Sequence, residues 1–419
     1  MAGGDGLSDA YQATLTRIRA QKGIKSILAL KALMWVLYSE RPLKAEELCD
    51  ALGVEMGATD LDPENVPPLR RLLASCLGLV TLEASSSTVT LVHFTLQEYL
   101  LRDTSLFHSP HSTIAEVCLT YLNSESVRSL SPTLRSAPST MPLLEYASCY
   151  WAEHARRGMT EKVKALALRL LDGFDKHISA QLALLHYNKY LGNGSFFDTT
   201  EGPAGFTGLH GAAFLGIADM VTPVLDLRKW DVNAADYSGS TALTWAAQRG
   251  HEGVVKALLE RGDVNPDLAE PKYGRAPLWV AAAEGHRGVV KIFLERDDVD
   301  PNQADTEYGA TPLSRAAEKG HEGVIKVLLE REDVNPNQAD IKHGRTPLSW
   351  AAESGNEGVV RILLEWDEVC SVMPDNSNQT PLSLALSAGH VGVARILQER
   401  DGANSYKVDH SPHTLPRTW

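Results

Sequence analysis

The stretch GATPLSRAAEKGHEGVIKVLLE, residues 309–330, decides the fold, because variants of it recur through the C-terminal half. Earlier copies open GFTGLHGAAFLG at Gly205, GSTALTWAAQRGHEGVV at Gly239 and GRAPLWVAAAEGHRGVV at Gly274. Later ones open GRTPLSWAAESGNEGVV at Gly344 and NQTPLSLALSAGHVGVA at Asn378, so six starts stand 34 or 35 residues apart. In the quoted copy Thr311 is placed to cap a helix and Pro312 to fill its first turn. Leu313, Ala316 and Ala317 share one helical face, and paired alanines allow close helix approach. Gly320 supplies the left-handed residue that ends this helix. A second helix follows, with Val324, Ile325, Leu328 and Leu329 inward, and the turn formers of residues 333–344 lead into the next copy. Such a period predicts a solenoid in which each unit covers its neighbour's apolar face.

The TPL, AA, GH, VV and LLE elements at these positions resemble the ankyrin repeat over residues 205–401. The resemblance implies stacked helix pairs with outward hairpins, binding other proteins through the concave face and hairpin tips. The copies run slightly longer than the usual repeat of about 33 residues, and the excess is placed in the hairpin. Ala276 stands where other copies have a capping Thr, a change expected to cost roughly 1 kcal/mol. Thr222-Pro223 in the first copy and the polar Ser387 and Gln398 in the last read as end caps. The residue before the alanine pair is expected to face the groove: Gly211, Trp245, Val280, Arg315, Trp350 and Leu384. The last five are the candidate protein-binding residues, since Trp and Arg are the types that anchor interfaces. The competing reading is that the tryptophans only cover neighbouring helix stems. His251, His286, His321 and His390 come from separate layers about 8–10 Å apart, so they read as structural residues of the helix turn.

The whole chain has 419 residues, 43% hydrophobic and 22% charged, which excludes a wholly disordered protein. Its net charge of −13 makes it a poor match for nucleic acid or anionic lipid. Residues 205–401 carry −11 of it, and much of that comes from repeated positions, such as Glu260, Glu295, Glu330 and Glu365 and the acidic hairpins around Asp263, Asp298 and Asp333. Arg315 interrupts an aromatic groove on this acidic solenoid, so a partner with basic rim residues and weaker binding at high salt are expected. Five cysteines without a CxxC pair read as reduced thiols. The polar start MAGGDG has no signal-peptide core, Ala2 excludes myristoylation, and residues 26–38 are too short to span a bilayer. The expected compartment is the cytosol, with the nucleus left open.

In the N-terminal half, IKSILALKALMWVLY from Ile24 reads as a helix, RPLKAEELCDALGV carries a second that ends at Gly53 with Leu48, Ala51 and Leu52 in phase, and PPLRRLLASCLGLV a third that starts near Pro68. Two strand-like runs follow, residues 79–82 and 89–94, joined by a Ser-rich tip. This is a winged-helix plan. DNA binding is disfavoured, because the third helix offers only Arg70 and Arg71 and the wing tip has no Lys or Arg.

The string LKALMWVLYSERPLKAEELCDALGV, with LVTLEASSSTVTLVHFTLQEYL after it, resembles the GPI inositol-deacylase-type winged helix of fungal NLR-like (STAND) proteins. In that family the module lies between a NACHT nucleotide-binding domain and an ankyrin array. The stretches FHSPHSTIAEVCLTYLNS and MPLLEYASCYWAEHARRG are similar to its helical connector. The resemblance implies a ligand-sensing half that works with a NACHT domain, in cis in a longer product or in trans. It places His93 where the family carries a nucleotide-contacting histidine, a nucleotide-sensor relic; the residue otherwise reads as a plain strand residue.

No G-x-x-x-x-G-K-[ST] occurs, so no nucleotide hydrolysis and no cofactor are expected. No G-x-S-x-G elbow is present, and Cys118 lies in an apolar stripe. His108 and His111, like His410 and His413, read as loop histidines without further ligands. The expectation is a mainly α, non-enzymatic protein-interaction module. Its parts are an N-terminal segment (1–23), a winged helix (24–105), a helical connector (106–200), about six ankyrin repeats (201–401) and a polar tail (402–419). A stand-alone ankyrin scaffold is the alternative function, and a winged-helix nucleic-acid binder the third.

Overall fold

A computed structural model describes residues 4–191, 203–228 and 230–409. The chain divides into two compact units, Met1–Lys229 and Trp230–Trp419. The expected connector end at 192–200 and the tail from 410, with His410 and His413, lie outside the described residues.

The first unit begins with a helix where the sequence reading assigned only a segment. Helix α1 (Gly4–Arg19) buries Tyr11, Leu15 and Ile18 on one face. Three buried residues, with Leu7 exposed and polar residues between, make too narrow a stripe to announce themselves. The Tyr11 hydroxyl lies 2.8 Å from Thr95 Oγ1, and its ring lies 5.7 Å from that of Tyr99. Helix α2 (Ile24–Tyr38) is apolar on most sides and buries residues from Leu28 to Leu37, including Trp35. Helices α3 (Ala45–Gly53) and α4 (Leu69–Ser75) complete the helical part. At the start of α3 the Lys44 N–H donates to Glu47 Oε2 at 2.8 Å, while Arg41 pairs with Glu47 at 2.7 Å.

Strands β1 (Leu43–Lys44), β2 (Val80–Glu83) and β3 (Thr88–Leu91) form an antiparallel sheet in the order β1-β3-β2. Leu43 pairs with Val89, and Val80 with Leu91. The last strand stops short of Phe94, because helix α5 (Phe94–Arg102) starts there. His93 is therefore not a strand residue. It is the N-cap of α5, its Nδ1 accepting from Thr95 N–H at 3.3 Å. Histidine is a rare cap, and the β-branched run before it disguises the helix start.

The connector consists of α6 (Pro110–Leu122), α7 (Glu125–Arg128), α8 (Leu143–Arg157), α9 (Glu161–Leu171) and α10 (Ile178–Leu191). Helices α6 and α8 pack together around Cys118, Tyr121, Tyr146 and Trp151, all fully buried. The first repeat copy, α11 (Gly208–Phe214) and α12 (Val221–Arg228), lies in this unit and packs on α9. A Cβ on Gly208 would stand 2.2 Å from the Leu171 carbonyl oxygen, and one on Gly211 would stand 2.5 Å from the Phe174 ring. Glycine here admits the connector. Position 211, expected to face the groove, carries internal packing instead.

The second unit repeats one helix pair five times. The pairs are α13 (Ala242–Gln248) with α14 (Glu252–Leu259), then α15 (Pro277–Ala283) with α16 (Arg287–Leu294). Next come α17 (Pro312–Lys319) with α18 (Glu322–Leu329), and α19 (Pro347–Glu353) with α20 (Glu357–Leu364). The last is α21 (Pro381–Ser387) with α22 (Val391–Asp409), so the final helix runs past the expected boundary at 401. Thr241, Thr311, Thr346 and Thr380 cap the first helices, whereas Ala276 makes no such bond.

The regular histidines join the copies. His286 Nε2 lies 2.8 Å from the Gln248 carbonyl oxygen and His321 Nε2 lies 3.0 Å from that of Ala283. Asn356 takes the same place, donating to the Ala317 and Glu318 carbonyls at 2.9 Å. Among the described residues, no helix is long and apolar enough to cross a membrane.

Candidate functional site

First helices of successive pairs approach one another more closely than second helices do, which follows from their alanine faces and curves this unit toward the first-helix side. The hairpins border that side. Their tips are held by buried acids: Asp305 Oδ1 accepts from Tyr308 N–H and Asp340 Oδ1 from His343 N–H, both at 2.6 Å. Glu270 serves the same role for Lys272 and Tyr273. Part of the acidic excess is thus consumed in shaping turns. Another part pairs locally, as in Arg261 with Asp263, Arg296 with Asp298 and Arg331 with Asp333.

Rings and cations alternate along residues 273–350. The Arg275 guanidinium lies 4.3 Å from the Tyr273 ring centroid and 4.9 Å from that of Trp279. Arg315 follows, 5.3 Å from Trp279 and 5.7 Å from Tyr308. Lys342 stands 4.2 Å from Tyr308, and the His343 ring stacks on Tyr308 with centroids 6.2 Å apart. Arg345 closes the series, 4.8 Å from Trp350. All the cation distances fall within the range of favourable cation–π contact. Carboxylates complete the array: Glu307 pairs with Arg275 at 3.0 Å, Glu318 with Arg315, and Glu353 with Arg345 at 2.5 Å. Burial pulls the Arg275 pKa below its usual value, Glu307 opposing and nearby Arg315 adding to the effect.

The predicted groove residues separate into two groups. Trp245, Val280 and Leu384 are only 2%, 6% and 3% exposed. Trp245 Nε1 donates to Asp236 Oδ2 at 2.8 Å, fastening its hairpin. Arg315 and Trp350 are half-buried and belong to the ring–cation series, with Trp350 Nε1 donating to Asp340 Oδ2 at 3.0 Å. Sequence reading missed Tyr273, Tyr308, His343, Arg275, Arg345 and Trp279. A signal was available: Tyr273, Tyr308 and His343 each precede the loop glycine of their copy. Trp279 sits one position before the expected groove residue, is 1% exposed, and donates to the Ala310 carbonyl at 2.8 Å.

In the first unit, His93 is exposed between Val92 (50% exposed) and Phe94 (65% exposed), and its ring packs on Phe94 at 4.4 Å. Cys49, Cys76 and Cys118 are buried, and burial pushes the first two thiols up to about 11 and about 12. None is poised as a thiolate nucleophile. His111 is not a loop histidine: it stands in the first turn of α6, its Nδ1 2.9 Å from His154 Nδ1. A mixed cavity of about 650 Å³ lies beside α3, lined by Cys49, Asp50, Leu61, Val66 and Met141 among others.

The family model for ankyrin repeats matches three times, over residues 155–269, 263–340 and 313–409. The model for the GPI inositol-deacylase winged helix domain matches residues 13–115. No curated protein matches the sequence. Among solved structures, the ankyrin repeat protein EF0377 is 27% identical, with 46% of this chain and 96% of that one covered at a TM-score of 0.41. An ankyrin repeat domain from Acinetobacter baumannii AYE is 26% identical, with 46% and 97% covered at the same TM-score of 0.41.

Proposed function

We propose that this chain, which belongs to the ankyrin-repeat family through residues 155–409, is the ligand-sensing half of an NLR-like receptor and takes its protein ligand in the groove of residues 273–350. Ankyrin repeats are protein-binding modules, and the winged-helix match brings no catalytic residue with it. The observation that carries the reading is the ring–cation series. Its half-buried rings, Tyr273, Tyr308 and Trp350, are held by neighbouring cationic side chains, so a partner loses little side-chain entropy in ordering them. Aromatic and arginine side chains fixed in this way are the usual anchors of interfaces.

Within the groove, Tyr308, Lys342, His343 and Trp350 retain exposed surface, and Arg315 supports them. Trp245, Val280 and Leu384 act from below, keeping the hairpins and inner helices in place. The surrounding acid favours a partner with basic rim residues, whose binding weakens as salt rises. A second contact is proposed at Val92, His93 and Phe94. This exposed apolar edge supports a NACHT-type domain as partner, in cis or in trans, with the cytosol as the place of action.

The test is affinity capture with the triple substitution Tyr308→Ala, Lys342→Glu and His343→Ala. A second triple, Lys256→Glu, Lys291→Glu and Lys326→Glu, changes exposed positions on the second helices. Loss of the captured protein with the first triple and retention with the second is expected. The opposite pattern removes the groove reading.

A further inference from the structure

Away from the groove, three ligating side chains from distant parts of the chain meet in the first unit. Glu40 follows α2, His111 lies in the first turn of α6, and His154 lies near the end of α8. One ligand atom from each lies within 4.8 Å of the others. His154 is fully buried, whereas Glu40 and His111 are half-buried. The two Nδ1 atoms face each other at 2.9 Å, and His154 Nε2 lies 3.9 Å from Glu40 Oε1. The far nitrogen of His154 is fixed, Nε2 lying 2.9 Å from the Tyr146 hydroxyl, whose oxygen accepts the Glu40 N–H at 3.1 Å. The Tyr38 ring meets His111 edge-on, with centroids 5.5 Å apart.

Two imidazole nitrogens that face at this distance repel unless a proton or a cation lies between them. The geometry points to a site for one divalent transition ion of the zinc class between His111 Nδ1 and His154 Nδ1, with the Glu40 carboxylate, now nearest His154 Nε2, turning in as the third ligand. Two histidines and a carboxylate are a donor set that zinc accepts, with a fourth position left for water. A histidine ligand is commonly oriented by a hydrogen bond to its other nitrogen, and Tyr146 is placed to accept from His154 Nε2–H.

Two adjustments accompany binding. Tetrahedral bonds of about 2.1 Å put the nitrogens about 3.4 Å apart, so the rings part by a few tenths of an ångström. Arg157 must release Glu40, to which it now bonds at 2.5 and 3.3 Å; its half-exposed side chain has solvent to turn into. Arg157 therefore competes with the ion and sets its affinity. A bound ion would tie the turn after α2 to α6 and α8, clamping the winged helix to the connector. This inference is independent of the groove reading.

The test uses the full chain, stripped with chelator and titrated with Co²⁺ as a spectroscopic probe. One equivalent is expected to produce a saturable visible band of nitrogen–oxygen type, which Zn²⁺ then displaces. His111→Asn and Glu40→Gln should each weaken binding about ten-fold or more. Arg157→Ala should tighten it, which simple loss of structure would not do. Circular dichroism of each variant separates ligand loss from misfolding. Absence of a saturable band, or a band that survives both ligand substitutions, overturns the metal site and leaves a proton between the two rings.

Discussion

In residues 4–191 the buried polar groups are singular and tied across long stretches of chain. His177 Nε2 reaches the Leu122 carbonyl at 2.9 Å, and Tyr146 takes the Glu40 N–H. In residues 230–409 such ties recur with the repeat. Asn233, Asn302 and Asn337 each donate to a backbone carbonyl of the following hairpin, just as the helix-turn histidines bond backward. The first region is one cooperative core in which a lost tie has no substitute. The second is a chain of similar interfaces, where damage should stay near its origin. That contrast also divides the functions: contacts concentrated in a core can hold a site such as the histidine pair, while a repeated edge can hold an extended partner.

The largest expected effect comes from opening each core. Trp151→Ala and Phe293→Ala both delete fully buried rings and should cost about 3–5 kcal/mol. Hydrogen exchange should distinguish them. Trp151→Ala should release protection throughout α6, α8 and α10, whereas Phe293→Ala should release it mainly in α14, α16 and α18. Equal, unit-wide loss in both would break the comparison.

A smaller loss is expected at a repeat junction. Gly285 has φ 77°, and a Cβ there would lie 2.7 Å from His321 Nδ1. Gly285→Ala should therefore cost about 2 kcal/mol by strain at a left-handed position, read from the denaturant midpoint.

Acid should act through the first unit. Burial lowers His177 to about 4, while its Nε2–H meets Leu122 and its Nδ1 accepts from Ser179 N–H. The unfolded chain takes this proton near pH 6.5, the folded chain only near 4. The contribution is full above 6.5 and falls as pH drops between these values, by about 1.4 kcal/mol per pH unit. Urea unfolding monitored in the first unit should show this slope, and His177→Gln should reduce it.

The smallest effect is a gain. Ala276 has cap geometry, φ −75° and ψ 159°, but no capping side chain. Ala276→Thr should stabilise by roughly 1 kcal/mol in thermal or urea unfolding.

What could be read in the sequence follows the same division. Periodicity exposed the helix pairs, the caps and the glycine turns, because every copy repeats the same local chemistry. It misplaced the groove surface at Trp245, Val280 and Leu384, since whether a ring points into solvent or under a hairpin depends on bonds such as Trp245 Nε1 to Asp236. In the N-terminal half the winged-helix helices were legible, yet α1 and the cap role of His93 were not. The meeting of Glu40, His111 and His154 had no local signature at all. Its members are 43 residues or more apart and are joined only by packing of α6 on α8.

Site-specific photocrosslinking tests the central claim most directly. A photoreactive side chain is placed at Tyr308, on the ring–cation groove, and separately at exposed Lys326 on α18. The groove account predicts one dominant protein adduct from position 308, diminished at high salt, and none from 326. Adducts from 326 with none from 308 would contradict it.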